Sequence, residues 1–91
     1  MLVVIQRSSS HPVEYAIMLL VERDRDWHTV RIFDNAHNSA EHHEHHEHRF
    51  IGSEKQEPIM TRGPVNDAMH AAEVKLRGGW FDIVRSWEGT R

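Results

Sequence analysis

The sequence predicts an α+β fold: an antiparallel sheet of about four strands with a C-terminal helix packed on one of its faces. Three observations predict it. Short β-branched and apolar runs separated by turn residues fill the first half of the chain. A three-and-four spacing of apolar residues fills the last third. With 91 residues there is room for one hydrophobic core, so a single domain over 1–91 is expected.

Residues 1–7 (MLVVIQR) read as the first strand, and Ser8 to Pro12 as the turn that ends it. Val13 to Glu22 is apolar on both alternations, which predicts a central strand buried on both faces. Arg23 to Asp26 is a compact polar turn, and the short link implies an antiparallel hairpin with Trp27 to Phe33. In that third strand, simple alternation puts Val30 and Ile32 on one face, with Trp27, Thr29, Arg31 and Phe33 on the other. The segment EHHEHHEHRFI, 41–51, lacks an amphipathic stripe. It predicts a fourth strand over roughly 45–51, preceded by a loop and followed by a polar connector over 52–63.

Val65, Met69, Ala72, Leu76, Trp80, Ile83 and Trp87 share one helical face, with the tryptophans read as core. Pro64 suits the first turn and Asn66 or Asp67 the N-terminal cap. Gly78–Gly79 costs about 1 kcal/mol per glycine relative to alanine, which predicts a kinked helix or two helices meeting there.

The absence of cysteine excludes disulfides, thiolate metal sites and cysteine nucleophiles. The apolar start is too short to span a bilayer, so no membrane is expected and the cytoplasm is the expected compartment. The net charge of −3 argues against broad capture of nucleic acid, although nine histidines make that charge soft near neutral pH.

Six of those histidines lie between His37 and His48. Along a strand, His42, Glu44, His46, His48 and Phe50 fall on one side, and His43, His45, Glu47, Arg49 and Ile51 on the other. A His-x-His pair with a carboxylate is a zinc-type arrangement. The candidate ligands are His42, His46, His48 and Glu44, with Asp34 as the other source of the carboxylate. The same pair serves metal-free RNA cleavage, one neutral imidazole taking a proton and a protonated one returning it. Arg49 or Arg31 would then steady the charged phosphorane.

The run Phe33-Asp34-Asn35-Ala36-His37, then His45-His46-Glu47-His48 leading to Gly52 and a terminal helix, resembles the TumE-like toxins of prokaryotic toxin–antitoxin pairs. The resemblance spans roughly 13–87 and is specific in its middle third. It implies a ribonuclease-type toxin with catalytic positions Asp34, Asn35, His46 and His48, backed by His37 and His45. It also implies a helix-turn-helix antitoxin as partner and RNA as substrate. The additional His42 to Glu44 units, the N-terminal strand and Gly78–Gly79 depart from the pattern.

Two other functions fit the composition. One is a non-enzymatic domain binding or sensing a metal through 42–48. The other is an interaction module, a homo-oligomer among its forms, in which the charged His/Glu strand is a sheet edge that a partner covers.

Overall fold

The computed structural model describes residues 1–9, 13–35 and 44–89. It is α+β, with an antiparallel sheet of six strands and one helix. The strands are β1 (Leu2–Arg7), β2 (Tyr15–Arg23), β3 (Asp26–Asp34), β4 (Glu44–Ile51), β5 (Glu54–Lys55) and β6 (Ile59–Arg62). The helix is α1 (Val65–Glu88). The spatial order is β1-β2-β3-β4-β5, and β6 joins β4.

Alternation sets the core. Tyr15, Ile17, Leu19 and Val21 of β2 are buried on the side that α1 covers, where they meet Ala72, Leu76, Ile83, Val84 and Trp87. The other β2 face, Ala16, Met18 and Leu20, is only half-buried. The expectation of burial on both faces is thus corrected: among the described residues a single helix covers a single face.

The β2–β3 hairpin turns through Asp24 and Arg25 at φ 53° and 70°. A two-residue turn with both residues left-handed matches the strand twist, but a side chain makes that conformation costly. Arg25→Gly is therefore expected to raise stability by about 0.5–1 kcal/mol, read from the denaturation midpoint. A lower midpoint would contradict the turn geometry.

Simple alternation fails in β3. The register shifts between Leu19 and Leu20, so Leu19 opposes Arg31 while Leu20 opposes Thr29. The extra residue is Val30, and it is buried next to a buried Arg31. Such a bulge flips the facing of everything beyond it. Val30 and Ile32 therefore do not share a face as expected. Ile32 and Asp34 lie opposite Met18 and Ala16, on the side away from α1.

The 52–63 connector contains both β5 and β6, and Glu44 to Glu47 of β4 pair with β6, while His46 to Arg49 pair with β3. His46 and Glu47, paired on both sides, are internal to the sheet rather than at an edge. The helix runs unbroken through Gly78–Gly79, where neither glycine has a neighbour within 4 Å of an added Cβ. Packing of the stripe outweighs the glycine cost. Pro64 is the N-cap, and no side chain caps the helix. Trp87 is core as expected, whereas Trp80 is 38% exposed and stacks edge-on against Phe81.

A candidate metal centre on the sheet face away from the helix

The β3–β4 register builds the site. Asp34 opposes His46, and Ile32 opposes His48. Asp34, His46 and His48 thus sit together on the face away from α1. His46 Nδ1 lies 3.3 Å from Asp34 Oδ1, and His48 Nε2 lies 3.3 Å from Asp34 Oδ2. One donor atom from each of the three lies within 4.8 Å of the others. A tetrahedral ion with bonds of about 2.0–2.1 Å holds its donors roughly 3.3–3.4 Å apart. Each imidazole lies at that distance from one oxygen of the Asp34 carboxylate.

The three side chains are 13–16% exposed. His46 Nε2 also lies 3.4 Å from Glu44 Oε1. The His48 Nδ1 atom is buried with no hydrogen-bond partner among the described residues, so its ring meets the site through Nε2 alone.

The odd-numbered residues of β4 point the other way. His45 is buried; its Nε2 donates to the Gly63 carbonyl at 2.8 Å. A carbonyl can only accept, so in the neutral ring Nδ1 is free to accept from the Tyr15 hydroxyl at 2.7 Å. Burial first, and the Asp34 carboxylate second, push the Tyr15 hydroxyl up to about 12. Folding therefore favours the neutral phenol. That contribution is complete below about pH 10 and is lost as pH rises through the folded value. Tyr15→Phe is expected to cost about 1–2 kcal/mol at neutral pH, because His45 Nδ1 loses its donor. It should also flatten the loss of stability between pH 10 and 12, which alkaline melts would read. Equal stability at neutral pH would mean that the hydroxyl carries no such load.

Glu47 is buried beside Arg31, to which it is ion-paired, and receives Lys75 Nζ at 2.9 Å on both carboxylate oxygens. These bonds tie β4 to β3 and to α1.

The expected site is thereby sorted. Asp34, His46 and His48 come together. Glu44 touches His46 but stands outside the three-donor cluster. Asn35, expected to be catalytic, is engaged by backbone partners. It is 1% exposed, its Oδ1 accepts from Tyr15 N, and its Nδ2 donates to the Val13 carbonyl. Arg49 faces the opposite side of β4 from His46 and His48, opposes Arg31, and donates to the Glu57 carbonyl at 3.3 Å. Arg31 is committed to Glu47. Neither arginine reaches the cluster, because side chains one residue apart on a strand leave on opposite faces. His37 and His42 lie outside the described residues. The Tyr15–His45 pair was not expected as a unit, and nothing in sequence spacing links positions 30 residues apart.

No helix among the described residues is long and apolar enough to cross a membrane. No family model, no curated protein and no solved structure matches the chain.

Proposed function

We propose that the chain is a toxin-type ribonuclease whose centre is one divalent transition-metal ion, zinc being the simplest choice, held by Asp34, His46 and His48. The observation that carries the reading is the convergence of one carboxylate and two imidazoles, one donor atom from each within 4.8 Å of the others, on the sheet face away from α1. Three protein ligands leave a coordination position open, as catalytic sites require. An ion there supplies Lewis-acid polarisation of a phosphoryl oxygen. The resemblance to TumE-like toxins supplies the substrate class, RNA, and the partner, a helix-turn-helix antitoxin.

The test is cleavage of a mixed RNA substrate by purified protein, with chelator or with added zinc, beside a His46→Ala/His48→Ala double variant. Metal-dependent cleavage that the double variant lacks is the expected result. Cleavage that persists in chelator but not in the variant would replace the ion with a metal-free imidazole pair. In cells, the wild type expressed alone should arrest growth and the double variant should not.

The low exposure of the three side chains and the acidic net charge favour one second reading, a metal-binding domain without catalysis. Stoichiometric, tightly held metal with no cleavage in any lane is its signature.

A further inference from the structure

The helix α1 is apolar on two sides. Its inner stripe, with Ala72, Leu76, Ile83 and Trp87, is buried against the sheet. Ala71, Val74, Gly78 and Phe81 form a second stripe on the outer side, at steps of three, four and three. That spacing is the seam of a helix–helix contact, an apolar position every 3.5 residues on average. All four residues are exposed, Val74 at 57% and Phe81 at 58%. Contiguous apolar surface of this kind marks a contact.

Shape and charge select the occupant. Gly78 is a hollow in the stripe, with nothing within 4 Å of an added Cβ. Three residues on, Phe81 is a knob, flanked by Trp80 edge-on at 5.8 Å and by the Arg85 guanidinium at 5.9 Å. Two antiparallel α1 helices, related by a two-fold axis midway between Gly78 and Phe81, set each Phe81 over Gly78 of the other copy. Val74 of one copy then meets the aliphatic stem of Arg85 of the other. A parallel pair would instead set Gly78 against Gly78 and leave the hollow empty. Lys75 and Asp82 lie on one flank of the stripe, and Asp82 makes no hydrogen bond or ion pair among the described residues. Antiparallel pairing brings like flanks together, so each Lys75 comes within about 3 Å, along the helix axis, of Asp82 of the other copy. Lys75 already donates to Glu47, but its ammonium carries three protons and its side chain is 49% exposed.

We propose that the outer face of α1 is a homodimer interface, in which two copies of the chain pair antiparallel with Phe81 of each seated over Gly78 of the other. In this one register knob meets hollow twice and cation meets anion twice. That self-complementarity is what a two-fold interface requires, and a second copy supplies it. The interface lies across the helix from the sheet, so it leaves the face carrying Asp34, His46 and His48 open. The proposal does not depend on the ribonuclease reading.

Sedimentation velocity measures the mass of wild type, Gly78→Gln and Phe81→Asp from about 1 μM to about 1 mM. Glutamine is a better helix former than glycine and meets open space at position 78, and Phe81 is exposed, so both variants should fold. Circular dichroism checks this. The wild type should be a dimer, and each variant should dissociate at least about thirtyfold more readily. Added salt should weaken the wild-type dimer, and Asp82→Asn should remove most of that dependence. A wild type that is monomeric throughout would overturn the proposal and leave this face to a helix of another protein. A dimer that survives both Gly78→Gln and Phe81→Asp would also overturn it, placing the contact elsewhere, as at the edge strand β1. An unchanged salt response in Asp82→Asn would overturn the antiparallel register.

Discussion

Glu47→Ala is expected to destabilise the protein by about 3–5 kcal/mol, a large share of the roughly 5–15 kcal/mol that holds a domain folded. Glu47 is the carboxylate between the buried Arg31 guanidinium and the Lys75 ammonium. Without it, Arg31 keeps its charge under the helix, and its Nε already has no partner among the described residues. Arg31 also stands directly opposite Arg49, and like charges facing across a ladder repel. The loss therefore combines a stranded buried charge with an exposed repulsion. Replacing both partners, Arg31→Met with Glu47→Leu, should recover most of the stability, because removing a buried pair together avoids the stranded ion. Denaturant melts of the wild type, Arg31→Met, Glu47→Leu and the double variant form a double-mutant cycle. A double-variant loss equal to the sum of the two single losses would show that the pair is not coupled.

Asp34→Ala should weaken binding of a divalent transition metal by more than about a hundredfold, since even indirect supports of such ligands are worth 10–100-fold. Asp34 approaches both imidazoles, one oxygen to each. Its loss removes the carboxylate that the two nitrogens share. Titration calorimetry reads the affinity, and thermal melts give a second measure. An ion at a hundred times its Kd stabilises the wild type by about 2.7 kcal/mol, and at that concentration the variant should gain little. Unchanged affinity in Asp34→Ala would move the carboxylate ligand to Glu44, which lies 3.4 Å from His46.

Much of the fold was legible because burial leaves a pattern. β2 shows as a dense apolar run, and α1 as a stripe that keeps phase across two glycines. β6 left no such trace. Ile59 and Met60 are 40% and 53% exposed, so its pairing with β4 rests on backbone hydrogen bonds that any sequence can make. The bulge at Val30 was hidden too, because an inserted residue changes facing without changing composition. In the site, His46 and His48 were legible together, since alternation alone puts them on one face. Asp34 joined them by the register of a neighbouring strand. Asn35 and Arg49 stand apart from the cluster because nearness in sequence says little about direction: each is adjacent to one of its residues and is engaged elsewhere.

β4 carries two interleaved sets of side chains, one fastening the sheet to the helix and one facing outward. A histidine-rich run invites changes in length, and here parity decides their outcome. Gain or loss of a single residue within 44–48 would exchange the sets, driving His46 and His48 beneath the helix and pushing the partner of Arg31 outside. Gain or loss of two residues would restore the order. Length variants of this segment that survive selection should therefore differ by even numbers of residues.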